Sequence, residues 1–305
     1  MTTPSVPDVL HEPVWYAPLR APSWLMPPVR ADAPRVVFTA TQAVSSDEPS
    51  MRGVRAGMPM FLAEAVRFVS DAATTSVAAG ADAPDGEADA RARTGIEDAD
   101  GERTVVIDVE DGGGGSVAAL RLPVPDDAAL ETVIGTLPGT LTGALASTGV
   151  RPVWSTVYVP PSPGHAAEQV RGHAVCAWLL DPELHRTDPS VDADEVARKR
   201  AAVTAALSRL AELAGRSPSP FNALLLFAGL MAVRDAGSGV YLDFRLQANA
   251  LCMNATDPRD PVYRISVLVL RALGDPEIAA RRARSLGGDA DPALATWLTR
   301  TEAVS

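Results

Sequence analysis

The sequence predicts an α+β protein in which a small mixed α/β sheet domain is followed by an all-helical domain of packed helical hairpins. Between residues 35 and 160, short apolar runs bounded by glycine and proline are typical of strands. After Gly164, apolar residues recur at helical spacing. Six Asp-Pro pairs in this second region indicate helix starts, because Asp caps a helix and Pro tolerates its first turn.

The composition is that of a soluble globular chain, with 305 residues, 47% of them apolar and 21% charged. The net charge of −11 argues against binding to nucleic acid or to an anionic membrane, since both need clustered positive charge. The longest apolar run, 223–233, is shorter than the about 20 residues that span a bilayer. The first residues lack the features of a secretory signal. We therefore expect a cytoplasmic protein with no membrane partner.

Residues 1–34 form a proline-rich arm that also carries the aromatic residues Trp15, Tyr16 and Trp24. Prolines at this density favour extended or irregular backbone. The rings indicate that the arm is packed against something. Either it wraps its own domain, or these three residues dock onto a neighbouring subunit or another protein, because aromatic residues are frequent interface anchors.

Residues 35–160 form the predicted α/β domain. Its first part is predicted to contain a strand at 35–41, a helix at 58–69 and a strand at 74–79. The segment 80–102 is rich in Ala, Asp and Gly, and its composition predicts a mobile surface insertion.

The second part of this domain begins with a predicted hairpin, in which strands at 103–110 and 116–124 flank the glycine run DGGGG. A phosphate-binding loop is the alternative, but such loops lead into a helix rather than a strand. Asp126 should cap a helix that Pro138 interrupts, and 154–159 should form a closing strand.

Residues 165–305 form the predicted helical domain. A helix at 192–215 has a capping pair at its start and a stripe of apolar residues along one side. Asp260 and Asp275 are the clearest of the other helix starts. The helix that follows Asp260 is apolar nearly all round, so we expect it in the middle of a stack.

No catalytic or metal-binding motif is found. The four histidines do not have the spacing of metal ligands, and Cys176 and Cys252 are far apart, which favours buried free thiols. We therefore predict no catalytic residue, metal or cofactor. Any catalytic triad would have to be assembled from distant positions.

The segment 241–254 combines a wide apolar surface, which predicts packing on more than one side, with polar residues. Arg245 and Asn249 lie four residues apart within the apolar surface. In one interpretation Arg245 pairs with a carboxylate or with free carbonyls at a helix end. In the other, Arg245 and Asn249 bind a ligand carboxylate or phosphate. A narrow polar edge should face solvent, formed by Asp243, Gln247, Ala250 and Asn254.

The run 272–292 resembles the turn and second helix of a tetratricopeptide hairpin, with Gly274, Asp275, Glu277, Ala279 and Ala283 at matching positions. The Trp, Gly and Tyr of the first helix of that repeat are not found, and neither is a regular period. The order of elements over 35–150 resembles the TolB amino-terminal α/β domain, which often precedes such arrays in bacterial proteins. These resemblances imply contact with proteins rather than catalysis.

Together these observations predict a non-catalytic scaffold or adaptor that binds a protein partner or assembles with itself. The alternative is an enzyme or a small-ligand-binding protein with a polar pocket at the domain junction.

Overall fold

The structure, a computed structural model, describes residues 9–41, 49–78, 88–99, 102–153, 158–162, 164–185, 192–217, 219–286 and 292–302. Two compact units are present. The sheet unit comprises Ser5–Val14 and Pro27–Ala177, and the helical unit comprises Met1–Pro4, Trp15–Met26 and Trp178–Ser305. The molecule thus has the predicted α+β class, with a mixed sheet and a helical region.

The sheet has six strands in the order β1-β3-β2-β4-β5-β6. Strand β2 is parallel to both of its neighbours, β3 and β4. The pairs β1–β3, β4–β5 and β5–β6 are antiparallel. The strands are β1 (Val9–Leu10), β2 (Arg35–Ala40), β3 (Ala73–Val77), β4 (Ala90–Ala99), β5 (Glu102–Asp111) and β6 (Ser116–Val124).

Helices α1 to α3 accompany the sheet, and the remaining helices form the helical unit, where a 3-10 helix, Gly239–Phe244, leads directly into α7. The helices are α1 (Pro49–Val69), α2 (Asp127–Ala144), α3 (Ala166–Leu179), α4 (Pro182–His185), α5 (Ala193–Arg216), α6 (Pro220–Asp235), α7 (Arg245–Asn254), α8 (Pro261–Ala272), α9 (Pro276–Ser285) and α10 (Pro292–Glu302).

In the sheet unit, α1 packs on β2, β3 and β4, while α2 packs on β6 and on α1. Helix α1 also approaches α3 closely. A Cβ atom added at Gly57 would lie 1.8 Å from the carbonyl oxygen of Val170, so only glycine permits this approach. The division between the units falls inside α3, although the predicted helical domain began at residue 165. Residues up to Ala177 group with the sheet because they pack against α1.

The prediction of a surface insertion at 80–102 is wrong for Ala90–Ala99, which forms β4 between β2 and β5. Its core-facing residues include Ala90, Ala92 and Ile96, which are almost completely buried. The scarcity of large apolar residues in this segment suggested an exposed insertion. Where helix α1 covers the sheet, however, small alanines are sufficient as core residues.

Other predicted elements were confirmed or corrected. The glycine run does join two antiparallel strands, β5 and β6. Pro138 does not interrupt α2, and α1 begins earlier than predicted, at Pro49. The predicted strand at 154–159 lies largely outside the described residues, and Tyr158 and Val159 belong to no strand.

In the helical unit, α6 and α8 form the centre of the packing, as predicted for α8. Twelve of the sixteen residues of α6 and nine of the twelve of α8 are buried. Part of the arm packs in this unit too: the rings of Trp15 and Phe221 lie 6.3 Å apart, and those of Trp24 and Trp297 lie 6.1 Å apart. Among the described helices, none has both the length and the apolar character needed to cross a bilayer.

Candidate functional site

Helix α7 packs on one side only, which corrects the prediction of packing on more than one side. Ala248 and Cys252, one turn apart, are fully buried on its inner face. The predicted polar edge is exposed. Leu246 and Met253 are also exposed, by 82% and 51%. The sequence had predicted that such apolar residues of this segment pack against neighbouring elements.

The exposed side of α7 carries what we call the α7 stripe, defined as Leu242, Leu246, Ala250 and Met253. Leu242 lies in the preceding 3-10 helix and is 49% exposed. Within α7, the spacing of four and three residues places Leu246, Ala250 and Met253 on one face. Isolated apolar residues on a surface are ordinary, but two large ones on α7 with a third in the adjoining 3-10 helix form a candidate interaction surface.

Arg245 and Asn249 both bind Asp275, the residue that precedes α9. Arg245 Nη2 lies 2.9 Å from Asp275 Oδ1, and Asn249 Nδ2 lies 2.6 Å from Oδ2. The side chain of Arg245 is 45% exposed, so it is not the buried arginine that the sequence suggested. The arrangement matches the interpretation in which Arg245 pairs with a nearby carboxylate. It leaves the ligand-binding role of both residues a prediction.

Asp275 therefore joins α7 to the start of α9. Partial burial favours its neutral form, but the hydrogen bonds from Asn249 and Arg245 outweigh burial and lower the pKa of the carboxyl group. Helix α9 begins after Asp275, as predicted, but the Asp275 side chain accepts no backbone hydrogen bond at that helix start, whereas the Asp260 side chain accepts one from Val262 N–H at the start of α8.

Arg282 of α9 fixes the other end of α7. Its guanidinium group donates to the carbonyl oxygens of Cys252 and Ala255, which are free at the helix end. The same group lies over the ring of Tyr263, 4.3 Å from its centre. The sequence suggested that Arg245 could bind free carbonyl groups at a helix end. In the structure Arg282, which is almost completely buried, makes that contact instead.

The sheet unit contains a second polar cluster, between α1 and α3. His173 Nε2 lies 3.3 Å from Glu64 Oε2, and both side chains are almost completely buried. His173 Nδ1 lies 2.9 Å from the carbonyl oxygen of Gln169, which can only accept, so Nδ1 carries a proton. The contact therefore joins α1 to α3 through a buried imidazole and a buried carboxyl group.

The ionisable groups near Glu64 are shifted towards their neutral forms by burial. Burial, assisted by the negative charge of Glu64, raises the pKa of the Cys176 thiol and of the Tyr158 phenol far above their ordinary ranges. In the helical unit, burial raises the pKa of Cys252 to about 12. Both cysteines are free and buried, as predicted, and neither has the thiolate character of a nucleophile.

The glycine turn between β5 and β6 does not form an anion cradle. The backbone N–H groups of Gly113 and Gly115 both donate to Asp111 Oδ1, at 2.9 and 2.8 Å. Their hydrogen bonds are thus directed at a carboxylate of the same turn. This geometry supports the hairpin interpretation over the phosphate-binding one.

The predicted arm residues lie within the helical unit. Trp15 is buried, and Tyr16 and Trp24 are half-buried. The guanidinium group of Arg264 lies over the ring of Trp24, 4.7 Å from its centre. This corresponds to an arm that packs on its own chain, and the interface role of these three residues stays a prediction.

Two further features lack the properties of a binding site. A cavity of about 400 Å³ in the helical unit is lined by apolar residues and by His185, whose Nε2–H donates to the carbonyl oxygen of Leu179. It therefore lacks the converging polar groups of a substrate site. Within the described part of the chain, no group of three or more His, Cys, Asp or Glu side chains could hold a metal ion.

Comparison with known proteins finds no family model and no curated protein that matches the chain. The resemblance to TolB amino-terminal domains and to tetratricopeptide hairpins stays a prediction. The α7 stripe is the strongest candidate for a functional surface.

Proposed function

We propose that the protein is a non-catalytic scaffold or adaptor that binds other proteins through the α7 stripe. The observation that carries the proposal is the exposure of Leu246 and Met253 on one face of α7, together with Leu242 in the adjoining 3-10 helix, each about half exposed or more. Apolar area exposed in this way costs free energy in water, about 25 cal/mol per Å², which a bound partner would recover.

The helical unit is suited to presenting this surface. Asp275 and Arg282 fix the two ends of α7, and Ala248 and Cys252 anchor its inner face. A rigid helix pays little conformational entropy on binding. The stripe is therefore preorganised.

The alternative, an enzyme or small-ligand-binding protein that uses Arg245 and Asn249, has weaker support. Both side chains already donate to Asp275, so an anionic ligand would have to displace that carboxylate. Self-assembly and the cytoplasmic location expected from the sequence stay predictions.

Site-specific photo-crosslinking in the native host tests the proposal. A photoreactive residue replaces Leu246, and in a control chain it replaces Ala31, which is exposed in the sheet unit. We expect discrete adducts that contain a second protein chain at position 246 and none at 31. The absence of adducts at 246, or the same adducts at both positions, would contradict the proposal.

A further inference from the structure

We propose that two copies of this chain join through the outer edge of β6, where their β6 strands pair antiparallel and continue the sheet from one copy into the other. This edge belongs to the sheet unit and is separate from the α7 stripe, so the inference goes beyond the proposed function. Three observations carry it, namely the length and backbone of the edge strand, the lack of charge on the helix beside it, and a register in which the strand matches its own copy.

Strand β6 is a long edge strand. It is the last strand of the sheet, and its outer side faces no described strand. It spans nine residues, Ser116–Val124, and carries one charge, that of Arg121. Natural proteins usually keep exposed edges short or place several charges on them, because unpaired N–H and C=O groups attract further strands. The edge of β6 therefore offers a site for strand addition.

Pro123 indicates which residues of β6 direct their backbone groups outward. Proline has no N–H, so within a ladder its nitrogen faces away from the neighbouring strand. The register with β5 is uninterrupted from Ala118 to Val124. Because backbone direction alternates along a strand, the N–H and C=O groups of Ala119 and Arg121 also point outward. Both residues are exposed, and they would provide the hydrogen bonds to an added strand.

The helix next to this edge is almost uncharged, although the whole net charge of −11 lies in the sheet unit. Helix α2 packs on β6, and its exposed residues between positions 128 and 143 are all Ala, Thr or Gly. Glu131, the one charged residue in that stretch, accepts a hydrogen bond from Ala167 N–H at the start of α3. Depletion of charge is typical of the centre of an interface, so this surface is suited to contact with a second acidic copy.

The leucines of β6 favour a folded copy over a single peptide strand. Leu120 and Leu122 pack against the core on the helix side of the sheet, yet both remain partly exposed. A peptide strand would add apolar side chains there with no helix to cover them, and exposed apolar area costs about 25 cal/mol per Å². A second copy brings its own α2 together with its β6. The apolar layer then continues across the contact.

The register of β6 allows it to pair with itself. If the twofold axis passes through Leu120, this residue faces its own copy, and Ala118 faces Leu122 of the other copy. On the opposite side of the sheet Arg121 faces Ala119, so like charges are not opposed. The two residues with outward backbone groups thus form the hydrogen-bonded pairs. A contact of this kind uses the same surface on both copies and closes as a dimer.

Two substitutions at Ala119 test both the dimer and its register. Ala119→Arg places an arginine opposite Arg121 of the other copy, at two positions of the dimer, so we expect the dissociation constant to rise at least tenfold. Ala119→Glu places a carboxylate opposite the same guanidinium group and should leave the constant unchanged or lower it. Net charge alone predicts the reverse order, because Glu adds to the charge of −11 and Arg reduces it.

Sedimentation velocity of the purified full chain, across a range of concentrations, measures the dissociation constants. The control is the same pair of substitutions at Ala205, which is exposed on α5 in the helical unit, and both should leave the constant unchanged. Because Ala119 is exposed, its two variants should unfold at the wild-type temperature, which circular dichroism checks.

Three results would overturn the inference. The first is a wild-type chain that stays monomeric at every concentration. The second is a dimer that Ala119→Arg leaves intact, since self-association would then use another surface. The third is a dimer that Ala119→Glu weakens as much as Ala119→Arg does, or more. None of these results affects the proposed function, because the crosslink at position 246 tests the α7 stripe separately.

Discussion

The Glu64–His173 pair in the sheet unit and the Arg245–Asp275 pair in the helical unit have similar chemistry in different surroundings. Each joins two helices by a contact between a side-chain nitrogen, of an imidazole or a guanidinium group, and a carboxyl oxygen. The first pair is almost completely buried, while Arg245 is 45% exposed. Water screens and replaces an exposed ion pair, but it cannot replace a buried partner. The same kind of contact is therefore expected to carry very different energetic weight in the two units.

The largest effect should come from the buried pair. His173→Ala removes the imidazole from the buried carboxyl group of Glu64, and we expect the free energy of unfolding to fall by about 3–5 kcal/mol. Glu64→Gln is the matched variant, because its amide can still donate to His173 Nε2, so its loss should be smaller, about 1–2 kcal/mol. Urea denaturation measures both. Equal losses, or a loss below 1 kcal/mol for His173→Ala, would show that the buried pair is not important for stability.

A somewhat smaller effect is expected where α1 and α3 meet. Gly57→Ala places a methyl group 1.8 Å from the Val170 carbonyl oxygen, so the helices must separate, at a cost of about 1–3 kcal/mol. Gly135→Ala in α2 is the control, because nothing lies within 4 Å of the added Cβ atom. It should raise stability by about 0.5–1 kcal/mol. Thermal unfolding compares them, and a neutral Gly57→Ala would refute the close approach.

The smallest of the three effects should come from the exposed pair. Arg245→Ala is expected to cost only about 0.5–1 kcal/mol at pH 7, since the guanidinium group is partly in solvent. The pKa of Asp275 is lowered in the folded state, so this contribution is present above the ordinary pKa of about 3.9. It is lost as the pH falls through the lowered value.

Unfolding temperatures of the wild type and Arg245→Ala, measured between pH 7 and pH 3, give the readout. The difference between them should shrink in acid. A loss above about 2 kcal/mol, or a difference that grows in acid, would place Arg245 among the essential buried contacts.

Local interactions explain which features could be predicted from the sequence. The glycine turn is set by Asp111 and its neighbours within a few residues, and the start of α8 is set by Asp260. Both were predicted because their causes lie within a few residues of each other. Strand β4 was missed although it pairs with the adjacent β5, because its buried positions are mostly small residues and one of its partners, β2, is far away in the sequence.

The candidate site could be predicted only in part. Arg245 and Asn249 were identified as a pair by their spacing, but their shared partner Asp275 lies on another element. The exposure of Leu246 could not be predicted, because a wide apolar surface does not say how many neighbours a helix has. Helix α8, which is the more apolar of the two, is buried at nine of its twelve residues, whereas α7 is buried at two of its ten. Glu64 and His173 are far apart in sequence, so no motif could associate them.

The packing of the arm has a consequence for the order in which the molecule is completed. Trp15 and Trp24 are synthesised well before their ring partners, Phe221 and Trp297. Translation proceeds at about 5–20 residues per second, so the synthesis of Trp24 precedes that of Trp297 by roughly 15–60 s. During that time the Trp24 ring has no Trp297 ring to pack against. The arm therefore lacks these ring contacts on the nascent chain until α6 and then α10 have been made.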